Sequence, residues 1–475
     1  MKKSEIIIAI CLSLFVSILL LIGNKNSYGI IFSVFFSIIY FILVLRLKVE
    51  NVTKYTLYFV IFTLPFPYLI KFGGSDALTI NTVLIYFVFT IVVINNMVNK
   101  TSFFKLEYEF ILPTFLLFGF TMTLLCNPHF LGESVRQYIS HCSGILLYFV
   151  LLATVKNYSE VLLIIKIILF TLILQAIISL LQIEYPGIAS FFEIFKRGEV
   201  EVSAAFRHDS IRAMGTFGEY ELIAEWFLIG TILSLALIYE TRQNKYFFPL
   251  FCCLSGIVFT KSRAPLGLFF FLFFFVSILF FLFKSDKRRI TVKLILILSF
   301  LCGAIFALFS THVDQLIGRI EQFSSLTHST DLTAIHRDVA WGAAFHALKK
   351  PTLFGRGFSS LANFFSINSF HSLYLTTIFR FGIFGLVIHL LFWFIMLKHA
   401  WLLLLRHGKI KNWCLLFFLT VTIMAMLLDE IIIEYFRQSL TIQFAWTLYA
   451  LLIISLRLNK KADESIVVPK FAVRY

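Results

Sequence analysis

The chain has 475 residues, of which 59% are hydrophobic and 14% charged, with a formal net charge of +15 and a mean hydropathy of +0.90. That balance excludes a soluble globular protein, which needs far more charge to cover its surface, and implies an all-α, polytopic integral membrane protein. The positive charge does not imply nucleic acid: most of it sits in short loops between apolar runs, where it reads as a topology signal and as contact with anionic membrane lipids.

Apolar runs bounded by charges or turn residues predict spans near 6–22, 30–45, 53–70, 79–96, 110–126, 141–155, 161–181, 220–239, 246–260, 264–283, 290–310, 371–397, 413–429 and 439–456. The count is about 12–14, because the runs 141–155 and 246–260 are short for a crossing. "MKK" ahead of the first run, with no small-residue cleavage site behind it, reads as a retained signal anchor. With Met1 inside, "RLKVE", "NKTSFFK", "VKNYSE", "TRQNK", "KSDKRR" and "LRHGKIKNW" all fall inside, and nearly all are basic. The termini are then cytoplasmic, and the two long loops, 182–219 and 311–370, lie outside, where function usually resides. Three regions follow: N-terminal helices 1–181, a core 182–397 containing both long loops, and C-terminal helices with a tail, 398–475.

The seven cysteines, Cys11, Cys126, Cys142, Cys252, Cys253, Cys302 and Cys414, lie in or at the ends of spans without a C-x-x-C pair. Core packing is the expected role, with a disulfide between Cys126 and Cys142, which flank one outer loop, as the alternative.

Ionisable residues near apolar spans are costly and tend to mark sites. In "FRHDSIRAMGTFGEYELIAEW", 206–226, Arg207 and Arg212 precede a Gly215-Thr216-Phe217-Gly218 turn that opens a helix. Backbone N–H groups there can face an anion while the arginines match phosphate; the other reading is a solvated loop with a helix-entry turn. In "FTKSRAPLG", 259–267, Lys261 and Arg263 stand outside against the positive-inside bias, either holding an anion or reaching to headgroups. In 329–357 a capped helix ends at Pro351 and Gly355, and Arg337, Trp341, Phe345 and Leu348 form one stripe facing the membrane or the bundle. Arg337 then points toward a site or packs on Trp341. Finally, His371 stands at the outer mouth of the span 371–397. His389 is on the same helix face as His371, and Arg380 is about half a turn away, which suggests a buried partner such as Glu225, Asp429 or Glu430.

"RAMGTFG", "TKSRAPLG", "HRDVAWGAAFHALKKPTLFGRG" and "HSLYLTTIFRFGIFG" occur in the order found in the O-antigen ligase and polymerase family, which this chain resembles over about residues 205–395. His371-Ser372 followed by Gly382 and Gly385 is the most specific match. The resemblance implies an inverting, metal-independent glycosyltransferase of the type C membrane fold, needing no cofactor, in the bacterial inner membrane with its site facing the periplasm. The implied donor is a glycan on undecaprenyl diphosphate; the acceptor is the lipid A core in ligases or another carrier-linked glycan in polymerases. His371 would be the general base, and Arg212, Arg263 and Arg337 would hold the diphosphate, with Arg207, Lys261, Arg319 and Arg356 as secondary candidates. Two departures stand out: Glu219-Tyr220-Glu221 after "GTFG", and Arg380-Phe381 before Gly382, where the family often has an acid.

The residues themselves suit such chemistry. A neutral imidazole can take a proton from a hydroxyl near neutral pH, and arginines can carry the charge of a departing diphosphate. No His/Asp/Glu spacing reads as a metal site. A lipid-linked oligosaccharide flippase is the rival of another class, but it calls for ionisable pairs at mid-membrane, whereas the charged motifs gather at the outer face.

Overall fold

A computed structural model describes residues 49–66, 79–98, 107–127, 131–185, 212–217, 219–283, 292, 295–299, 303, 332–349, 352–358, 370, 372–405, 412–431 and 439–467. Every regular element among them is helical: α1 (Val49–Thr63), α2 (Ile80–Val98), α3 (Tyr108–Cys126), α4 (Leu131–Thr154), α5 (Tyr158–Glu184), α6 (Tyr220–Thr241), α7 (Phe247–Thr260), α8 (Arg263–Phe283), α9 (Leu332–Leu348), α10 (Leu373–Leu405), α11 (Trp413–Asp429) and α12 (Ser439–Val467). Seven of these are long and apolar enough to cross a membrane, and α8 and α11 supply shorter apolar stretches. The protein is an all-α polytopic membrane protein. The expected spans 6–22 and 30–45, and most of 290–310, lie outside the described residues.

Apolar on every side, α6 suits burial within protein rather than a one-faced position. Its whole spanning window is buried, and that of α12 nearly so. The two meet where Trp226 stacks on Phe444 at 3.6 Å between ring centres. Around this pair, α5, α7 and α11 pack on α6, while α4 packs on α12. The hydroxyls of Thr231 and Ser234 donate to carbonyls four residues back, so α6 carries no unsatisfied polar group at these positions.

Several expected boundaries move. The short run 141–155 is the second half of α4, which begins at Leu131. Hydropathy truncates it because Ser134, Ser140 and His141 are polar yet buried inside the bundle. The 371–397 span extends to Leu405, and the last helix continues from the expected 456 to Val467. The other short run forms the 14-residue α7, ended by Lys261 in a left-handed conformation with φ 52°. Cys126 and Cys142 are both free thiols, so the alternative disulfide is not formed: one is exposed at the end of α3 and the other buried within α4.

α10 is broken at Gly382, with φ 69° and ψ −169°. Such a break frees carbonyls on one side and N–H groups on the other, which a membrane interior cannot solvate. The segment 352–358 supplies the partners. Arg356 N–H donates to the Phe379 carbonyl (2.8 Å) and Gly357 N–H to that of Arg380 (3.2 Å), while Ile383 and Phe384 N–H donate to the carbonyls of Thr352 (3.2 Å) and Leu353 (3.1 Å). Thr123 Oγ1 and Asn127 Nδ2 of α3 and its C-terminal end hold the segment by donating to the carbonyls of Phe354 (2.8 Å) and Gly355 (3.2 Å). Beneath this joint Phe120, Phe358, Phe381, His141 and His389 form one aromatic cluster.

Candidate functional site

The ends of several helices gather at one end of the bundle. The N–H of Ala213 donates to the Phe259 carbonyl at 3.0 Å, joining the turn before α6 to the end of α7. The N–H of Leu373 donates to the Glu430 carbonyl at 3.0 Å, joining the start of α10 to the end of α11. Glu225, near the start of α6, has Asp429 and Glu430 as its charged neighbours, which brings the two junctions to the same end.

Arg212 and Lys261 are brought together here. The Arg212 guanidinium lies over the Tyr220 ring, 4.4 Å from its centre. The Lys261 side chain is almost wholly buried, and burial, followed by the positive charge of Arg212, lowers its ammonium from the ordinary lysine range to about 8. Two residues on, Arg263 opens α8, so the positive end of that helix dipole adds to the same potential. Like charges held close in a low dielectric repel one another, and an anion between them removes the repulsion.

The "RAMGTFG" turn does not act as the sequence suggests. Its N–H groups at Met214, Gly215 and Thr216 do not face an anion, because the side chains of Gln182 and Gln175 accept from them. These three N–H groups are therefore closed to an anion. Neither glutamine stood out as functional in the sequence, although two amides seven residues apart in a mostly apolar stretch were the available signal.

Arg356 is engaged elsewhere, its guanidinium 5.7 Å from the centre of the Phe379 ring. Arg337 falls in α9, with its side chain outside the described residues. On that helix Ala340 and Ala344 are buried, Ala344 packing with Phe370 and Phe379, while Phe345 of the expected stripe is 59% exposed, as a membrane-facing position would be. Small side chains let α9 approach α10 closely, which a face of Trp and Phe would prevent. His371, Arg207 and Arg319 lie outside the described residues; the neighbours of His371, Phe370 and Ser372, are both buried.

The helical wheel linking His371 to His389 crosses a non-helical residue at Gly382, and with His371 outside the described residues their shared face stays an expectation. His389 is buried, with Nδ1–H donating to the Gly385 carbonyl at 2.9 Å. Glu225 is not the partner of Arg380: both its carboxylate oxygens are buried without a hydrogen bond, beside two further acids. Arg380 instead lies within electrostatic reach of His141. Among the described residues no group of three His, Cys, Asp or Glu is arranged to hold a metal ion.

The molecule is a helical, polytopic membrane protein in which Arg212, Lys261 and Arg263 stand where helix ends converge. Residues 248–390 match the family model described as O-Antigen ligase, and that match supports the likeness to the O-antigen ligase/polymerase family. The match contains Lys261, Arg263, Arg337, Arg356 and His371, and Arg212 lies ahead of it. It supports an O-antigen ligase or polymerase type of function without distinguishing the two. No curated protein matches this chain.

Proposed function

We propose that the protein is a ligase-like inverting glycosyltransferase, moving a glycan from undecaprenyl diphosphate to the lipid A core at the periplasmic face of the inner membrane. The juxtaposition of Arg212 with Lys261, beside the α8 end that begins at Arg263, carries this reading. A lipid diphosphate is the leaving group whose charge such a cluster suits.

In the proposed reaction His371 takes the proton of the acceptor hydroxyl as its oxygen attacks the anomeric carbon. The bond from that carbon to the diphosphate oxygen breaks, and its electron pair leaves with the carrier. Arg212, Arg263 and Lys261 hold the resulting negative charge, with Arg337 contributing from α9 and side-chain cations serving where a metal ion otherwise would.

The test is transfer by the purified full-length protein in vesicles holding a carrier-linked glycan and lipid A core. Capped core without growth on the carrier is the expected product. Growth of the carrier-linked glycan identifies a polymerase instead, and movement of lipid between leaflets that survives His371→Ala sinks the enzyme altogether.

A further inference from the structure

α5 is apolar except for a few positions, and two of these are the buried Gln175 and Gln182, seven residues and hence about two turns apart on one face. Both side chains are committed to the stretch that follows Arg212. Gln182 Oε1 accepts from the N–H of Met214 (3.1 Å) and of Gly215 (2.9 Å), and its amide donates to the Gly215 carbonyl at 2.7 Å. Gln175 Oε1 accepts from the Thr216 N–H at 3.1 Å, while its amide donates to Thr216 Oγ1 (2.8 Å) and to the Pro65 carbonyl (2.9 Å). Thr216 Oγ1 also donates to the Pro65 carbonyl.

The turn is thus fixed from two sides, by α5 through three of its N–H groups and by α7 through the Ala213–Phe259 bond. An apolar residue at 175 or 182 would leave buried N–H groups without acceptors, and the turn would shift to find water. With the N–H groups of Met214, Gly215 and Thr216 spent, these residues can serve an anion through where they place Arg212. A point contact of that kind is sensitive to displacements too small to unfold the bundle.

We infer that Gln175 and Gln182 are positioning residues that lock the Arg212 turn against Lys261 and so set the affinity of the site for a diphosphate group. The inference rests on the diphosphate-holding role assigned above to Arg212 and Lys261.

A double-mutant cycle on the full-length protein in nanodiscs tests it, with binding of inorganic pyrophosphate read by calorimetry and folding checked by thermal melting. Gln182→Ala is expected to weaken pyrophosphate by about tenfold, the scale of a hydrogen bond to a charged group. Arg212→Ala should weaken it at least as much, and the double variant no further than Arg212→Ala alone, since the glutamine acts through the arginine. Losses that multiply in the double variant, or undiminished binding by Gln182→Ala, overturn the inference and leave the diphosphate-holding role standing. Pyrophosphate that fails to bind the wild type, or binds Arg212→Ala equally well, overturns that role and the inference with it. If Gln182→Ala does not fold, Gln175→Ala enters the same cycle under the same criteria.

Discussion

Gly355→Ala is expected to open the joint between the segment 352–358 and α10. A Cβ at this position would stand 2.1 Å from the Arg380 carbonyl oxygen, 2.3 Å from its carbon and 2.5 Å from the Gly382 nitrogen. All three are backbone atoms with no rotamer to turn aside. The φ of +72° adds about 1–2 kcal/mol for any residue bearing a Cβ. Relief requires the segment to withdraw, giving up the bonds from Arg356 to Phe379 and from Gly357 to Arg380. At about 1–3 kcal/mol for each of the two N–H groups left unpaired, the local cost is roughly 3–8 kcal/mol. Hydrogen exchange read by mass spectrometry on protein in nanodiscs should show lost protection at Arg356 and Gly357, whose N–H groups part from their acceptors, and a lowered melting temperature. Gly342→Ala is the control: a Cβ there meets nothing within 4 Å, so a helix-interior gain of about 0.5–1 kcal/mol is expected. Wild-type protection over 356–357 and wild-type melting in Gly355→Ala would refute the joint.

Three further outcomes are expected. Pyrophosphate binding should weaken as pH rises through and above about 8, because Lys261 is charged below that value and neutral above it; Lys261→Arg, always protonated, should flatten the fall, and a wild-type affinity that does not change between about pH 7 and about pH 9 counts against the assignment. Arg212→Lys should lose about tenfold or more in transfer, since a point charge does not reproduce a planar fork, and wild-type turnover would reduce Arg212 to a positional role. Cys126, exposed at the end of α3, should react from the periplasmic side with a membrane-impermeant maleimide while buried Cys142 does not; labelling of Cys126 only from the cytoplasmic side would reverse the proposed orientation.

The two halves of the sequence's glycine motifs illustrate what was legible and what was not. "PTLFGRG" and "RFGIFG" were visible as separate patterns, yet only the folded chain shows that they are one object, in which Gly355 and Gly382 permit two backbones to meet and exchange four hydrogen bonds. The cationic motifs "RAMGTFG" and "TKSRAPLG" were also visible, and their residues Arg212 and Lys261 do converge. The partners of the turn's amides were not, because a glutamine in an apolar span carries no mark of which loop it will reach. Hydropathy failed in one direction as well: it shortened α4, since residues that face the inside of a bundle, such as Ser134, Ser140 and His141, need not be apolar.

Composition and the spacing of apolar runs determined, by themselves, that this is a helical membrane protein, because a bilayer admits only chains that satisfy their backbone within each segment. The order of the charged motifs pointed to the family that residues 248–390 then matched. Only the tertiary structure decided that the α9 face is an alanine edge, that α10 is two half-helices bridged by a distant segment, and that the Arg212 turn is held by α5. These features depend on partners more than twenty residues away in the chain, brought close only by the packing of the bundle, and no local period encodes them.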